Sequence, residues 1–140
     1  MQYRKENDLY LIALEIGDEV LESVIAFAEA EGIEGGVFSG IGAMNEAEIG
    51  WFDLENKEYR RREILGQREL LSLMGNFARD RGGAPIVHCH VVLGRGDFAC
   101  EGGHLFHGRI SVTGEIIFTP TSPISREFNE ASGLKLWQMS

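Results

Sequence analysis

The stretch that most constrains this chain is residues 86–105. There Ile86-Val-His-Cys-His-Val-Val-Leu93 is followed by Gly94-Arg-Gly-Asp97 and then by Phe98-Ala-Cys-Glu-Gly-Gly-His-Leu105. The first run is β-branched or apolar, which favours a strand, and strand side chains alternate between faces. His88 and His90 therefore emerge on one side and Val87, Cys89 and Val91 on the other. Residues two apart on a strand stand roughly 7 Å apart along the backbone, and two imidazoles leaning together reach about 2.1 Å from one shared cation. The Gly-Arg-Gly-Asp segment reads as a hairpin turn, and Gly102-Gly103 frees the returning backbone to carry His104 toward the pair. Three of the four histidines thus form a candidate metal site. A His-x-His pair alone is often only a half-buried polar strand face. The Gly-Gly-His return is what adds weight to ligation. His107, three residues beyond His104, reads as a supporting or surface residue ahead of a fourth ligand, and Cys89 and Cys100 as small buried hydrophobes.

A chain of 140 residues, 44% hydrophobic and 25% charged, has the length and composition of one domain with a genuine core. The expected boundaries are residues 1–140, with the core at about 8–120 and a docking tail at 121–140. Two cysteines make no disulfide framework, the first residues are too polar for a signal peptide, and no apolar run approaches the ~20 residues of a membrane span. A cytoplasmic location is the expectation. Lys+Arg 13 against Asp+Glu 22 gives a net charge of −9, which repels phosphate backbones and opposes nonspecific nucleic-acid binding.

In chain order, residues 8–16 read as a strand, and Asp18 as the N-cap of a helix whose apolar stripe is Val20, Leu21, Val24, Ile25, Phe27 and Ala28, closed by Gly32. The glycines of residues 35–43 match neither a Walker loop nor a dinucleotide fingerprint and suggest a short buried strand followed by a bend where backbones pass closely. Residues 47–54 and 57–64 form a hairpin signal around Glu55-Asn56. Residues 69–77 form a strand apolar enough to be covered on both faces. Arg60, Arg61 and Arg62 read as a solvated strand face flanked by Glu55, Glu58 and Glu63. Residues 109–118 make a last strong strand before the Thr-Pro-Thr-Ser-Pro break, and Phe128, Leu134, Leu136 and Trp137 give the tail an apolar surface for docking.

Several of these segments together resemble the plants-and-prokaryotes-conserved (PPC) domain, which stands alone in bacteria and archaea and is joined to AT-hooks in plants. The resemblance covers about residues 10–137. It rests on Ser39-Gly-Ile-Gly-Ala43, Glu69-Leu-Leu-Ser-Leu-Met-Gly-Asn76, His88-Cys-His-Val-Val-Leu-Gly94, Glu101-Gly-Gly-His-Leu105 and Arg126-Glu-Phe-Asn-Glu-Ala-Ser-Gly-Leu134. It implies an α/β (α+β) fold, a twisted, mostly antiparallel sheet with one main helix packed on it, assembled as a homotrimer. It also implies a metal, with ligands at His88, His90 and His104, as in the stand-alone prokaryotic branch.

Two classes of function follow. One is a trimeric assembly or partner-binding module holding zinc, associated with DNA-binding or regulatory proteins. The other is a metal-dependent hydrolase or lyase: three histidines leave a position open on zinc, whose bound water has a pKa of about 7. Glu101, Glu69 and Asp97 are the candidate bases. Direct DNA binding is a third reading, opposed by the net charge and by the single Arg of Gly94-Arg-Gly-Asp97, since a minor-groove arm needs several free cations. The apolar surplus of residues 69–74, 110–118 and the tail exceeds what one helix shields, so the chain is not expected to be a monomer.

Overall fold

The computed structural model describes residues 1–139. Among these, eight strands and one helix follow in the order β1 (Gln2–Glu6), β2 (Leu9–Leu14), α1 (Val20–Ala30), β3 (Gly36–Asp53), β4 (Glu58–Asp80), β5 (Pro85–Gly94), β6 (Cys100–Pro120), β7 (Ser125–Asn129) and β8 (Leu134–Gln138). The expected α+β class and mostly antiparallel sheet are present, with β4–β7 the one parallel pair among the described residues.

Helix α1 buries Val20, Val24, Phe27 and Ala28 against the sheet, as its spacing requires. Its N-cap is Glu19 rather than Asp18. One Glu19 oxygen accepts from the Glu22 N–H at 2.7 Å, and the other accepts from the Gly108 N–H at 2.8 Å, so a single carboxylate caps the helix and ties it to β6. Asp18 instead accepts from the Glu15 N–H and pairs with the N-terminal ammonium. Gly32, at φ +64°, ends the helix in the left-handed conformation that glycine adopts without strain.

Strands that read as separate segments are continuous. The bend expected after residue 43 is absent, because bulges between Gly40 and Gly42 and between Met44 and Glu46 absorb the irregularity, and β3 runs on to Asp53. The hairpin at Glu55-Asn56 closes as expected, and β4 extends the following strand through to Asp80. Strand β1, which carries little apolar signal, pairs with β2.

Strand β6 changes neighbours along its length. Residues 100–104 pair with β5, whereas residues 104–120 pair with β3. Since β3 pairs with β4 and β4 with β5, strands β3, β4, β5 and β6 close into a ring. His104 stands at the crossing, opposite both His90 and Gly50.

The sheet has one buried and one open face. Leu70, Leu73, Cys89, Val91, Leu93 and Leu105 belong to the core shared with α1. On the opposite face the register aligns Arg4, Leu11, Ile117, Ser39, Met74, His90 and His104 in one row across six strands. The expectation that residues 69–77 are covered on both faces fails: Met74 is 64% and Leu71 50% exposed, because the helix packs on one side only. Cys89 is buried, whereas Cys100 is exposed at the start of β6.

Phe27 is fully buried among Tyr3, Tyr10 and Phe118, with ring centroids at 4.9, 4.9 and 5.2 Å. Phe27→Ala is expected to destabilise the fold by about 3–5 kcal/mol, the usual cost of emptying an aromatic core position. Equilibrium urea unfolding at fixed protein concentration checks this.

Candidate metal centre

Strand periodicity sets the first two histidines. His88 and His90 share the open face of β5, opposite buried Cys89 and Val91, and His104 comes to His90 across the β5–β6 pairing. The crossing needs glycine: a Cβ on Gly103 would meet the Gly50 carbonyl oxygen at 2.6 Å, and one on Gly102 would run into the Val91 carbonyl. The ring centroids then form a near-regular triangle of 5.1, 5.1 and 5.6 Å, and one candidate ligand atom from each ring lies within 4.8 Å of the others.

These distances suit a tetrahedral ion. Two nitrogens held about 2.05 Å from such an ion stand about 3.3 Å apart, and His88 Nε2 and His90 Nε2 are separated by 3.3 Å. His104 Nδ1 is buried and has no hydrogen-bond partner among the described residues, which fits an imidazole placed for ligation. Burial pushes the His104 pKa down to about 4, with His88, His90, Arg61 and Arg126 adding to the effect. Burial also lowers that of His88, helped by Arg126 and His90. The two rings are therefore neutral near pH 7, the state in which imidazole binds a metal.

A fourth residue, which sequence reasoning placed only within a motif of the tail, completes the surroundings. Arg126 of β7 is only 6% exposed. It donates from Nη2 to Asn76 Oδ1 at 2.9 Å and to His88 Nδ1 at 3.2 Å, and from Nη1 to the Lys135 carbonyl at 2.7 Å. The Trp137 indole N–H shares the same Asn76 oxygen. On the other side Tyr59 and Phe106 pack against His104 with centroids at 5.0 and 4.6 Å, and Arg61 lies 3.8 Å over the Phe106 ring.

The candidate bases are not brought in. Glu101 is held by Arg68 at 2.8 Å and Arg62 at 3.3 Å, Asp97 pairs with Arg95 in the turn, and Glu69 stands exposed opposite Gly94. Among the described residues, the group within reach of one ion consists of the three histidines alone. His107 lies outside it, between Glu46 at 3.0 Å and Glu19 at 3.6 Å. The arginine run is exposed as expected, although its partners are Asp53, Glu48 and Glu101 rather than the flanking glutamates.

The sequence model of the Plants and Prokaryotes Conserved (PCC) domain matches residues 1–122. The chain belongs to this family. Among solved structures it is similar to a PPC protein of Pyrococcus horikoshii, with 33% identity over 99% of this chain and 94% of the other and a TM-score of 0.86. It is also similar to a protein of Archaeoglobus fulgidus described as metal-containing, with 34% identity over 99% of both chains and a TM-score of 0.87. A candidate DNA-binding protein of Bacteroides thetaiotaomicron shares 28% identity over 98% of this chain and 96% of its own, with a TM-score of 0.92. No curated protein matches the chain in sequence. The PPC fold seen here thus carries the three-histidine group on its open face. No helix among the described residues is long and apolar enough to cross a membrane.

The depressed histidine pKa values make a pH prediction. An unfolded histidine takes a proton below about pH 6.5, whereas folded His104 resists protonation down to about 4. Between those values the unfolded state binds more protons, so the metal-free protein should lose stability as the pH falls through that window. Urea midpoints measured across it check the slope, which should be shallower in His104→Phe.

Proposed function

We propose that this PPC protein is a trimeric module that holds one zinc ion per chain at His88, His90 and His104 and uses the assembled surface to bind a partner. The observation that carries this reading is the convergence of three rings, two of them neutral at pH 7, at the spacing a tetrahedral ion requires. Zinc suits an all-imidazole set with no thiolate on offer. The metal-containing relative from Archaeoglobus supports it.

Assembly is supported by the open face. Ile41, Leu71, Met74 and Ile117 line a shallow groove of about 860 Å³ and are each about half exposed or more. Contiguous apolar surface of this kind marks a contact site, and a closed threefold ring, as the family resemblance implies, would cover it.

A hydrolase or lyase reading takes second place. It rests on the open coordination position that three histidines leave, but Glu101, Asp97 and Glu69 are all directed elsewhere. Direct DNA binding, suggested by the description of the Bacteroides relative, is opposed by the net charge of −9.

Protein purified without chelator or histidine tag is expected to carry about one zinc per chain by elemental analysis, the stoichiometry of a single three-histidine site. His88→Ala combined with His90→Ala should remove it, and a metal-free wild type would sink the proposal. In sedimentation equilibrium at low micromolar concentration the protein should run as three chains, and Met74→Glu should break the assembly. A folded, soluble single chain would refute assembly, whereas a dimer would refute only the threefold ring.

A further inference from the structure

Arg126 is a buried cation without a counter-charge. Among the described residues no carboxylate lies within ion-pair distance of it, and its Nε is buried with no hydrogen-bond partner. Its three acceptors, an amide oxygen, a carbonyl and an imidazole nitrogen, are all neutral. An arginine only 6% exposed usually has an anion beside it, because an unpaired buried charge is among the costliest features a fold can carry. Here that place is next to His88.

Metal loading would sharpen the imbalance. Arginine only donates, so in its contact with Arg126 the His88 Nδ1 accepts, and the ring proton sits on Nε2 facing His90. A neutral His88 that gave Nε2 to a cation would carry its proton on Nδ1, and Nη2 would lose that acceptor. Arg126 would then have donors free at both Nε and Nη2, beside a site that has gained two positive charges. Arg61, over Phe106, already has Glu48 at 3.4 Å, so of the two Arg126 is the cation left without an acid, and the histidine group itself contains none.

We propose that Arg126 and the metal ion held by the three histidines together form a binding site for a small organic carboxylate, which fills the ion's open position and neutralises the guanidinium. The inference rests on the metal reading above. A carboxylate matches the planar guanidinium fork. Tyr59 and Phe106 pack against His104, and the Trp137 ring lies 5.9 Å from the Arg126 guanidinium, so the surroundings are aromatic and suit a short hydrocarbon part better than a second phosphate charge.

Cobalt(II) in place of zinc gives a visible spectrum that reports on the ion's ligands. Propionate added to the cobalt-loaded protein in a non-coordinating buffer should shift that spectrum saturably, propionamide should not, and inorganic phosphate should act more weakly than propionate. Arg126→Gln should weaken propionate about ten- to hundredfold, the scale of hydrogen bonds to a charged group, while still taking up cobalt. Because Arg126 also holds the Lys135 carbonyl and Asn76, that variant is first checked for folding by circular dichroism, and the acid–amide comparison on the wild type stands without it. Uptake of cobalt with no propionate response, an equal response to propionamide, or phosphate acting more strongly than propionate would overturn the carboxylate site and leave the metal reading intact. Failure to take up cobalt would overturn the metal reading. Calorimetry of propionate with the metal-free protein then decides the remainder: selectivity over propionamide would keep Arg126 as a carboxylate site, and its absence would remove it.

Discussion

The backbone of β6 passes Gly50 so closely that a β-carbon on Gly103 would meet the Gly50 carbonyl oxygen at 2.6 Å, and one on Gly50 would meet the Phe106 ring at 2.5 Å. This contact lets β6 leave β5 and join β3 without a loop, which closes the ring of β3, β4, β5 and β6. A β-carbon at Gly103 would push β6 away from β3 one residue before His104, and so disturb the residue that pairs with both Gly50 and His90. The core would suffer with it, since Leu105, the next residue, is fully buried. The glycine pair therefore sets both the closure of the sheet and the distance between ligand candidates, and sheet and site cannot drift independently.

Much of this was legible in the sequence, and the illegible parts share a cause. The His-x-His pair needs only strand periodicity, the return of His104 needs only a flexible Gly-Gly pair, and the helix declares itself by its stripe. Each is a local pattern. The close approach expected at Gly40 and Gly42 is present, but the continuity of β3 was hidden because bulges, not a bend, accommodate it. Met74 and Leu71 read as doubly covered because composition does not distinguish a face shielded by its own chain from one left for another surface. The choice between Asp18 and Glu19 as cap depends on the Gly108 N–H, 89 residues away from Glu19 in sequence. Arg126 was quoted only as part of a family motif, and its burial is created by the tail strand lying beside β4.

The charge distribution has two scales. Over the whole surface the balance of −9 acts on large polyanions at distances of about a Debye length, some 8 Å at physiological salt, and repels them. Around the histidines the balance reverses: Arg126 stands unpaired beside the neutral His88, while Glu48 and Glu101 are each paired with arginine, Glu101 with two. A small anion inside a Debye length experiences the local sign, whereas a nucleic-acid backbone experiences the total. One molecule can thus discourage the long ligand and accept the short one.

The tail that delivers Arg126 is held to the sheet more by side chains, Arg126 and Trp137 on Asn76 and Lys135 on Asp80, than by backbone pairing. Strand β7 meets β4 through only two register pairs, Arg79 with Ser125 and Asp80 with Arg126, and its other neighbour is β8, itself part of the tail. Phe128 and much of Trp137 remain in solvent. Such a segment opens at a free energy well below that of the whole domain. The amides of β7 and β8 are therefore expected to exchange faster than those of β3 and β6. The segment that carries the guanidinium is thus the one whose opening would leave the rest folded, so exchange of an anion held there would follow local opening of the tail rather than the far slower global unfolding.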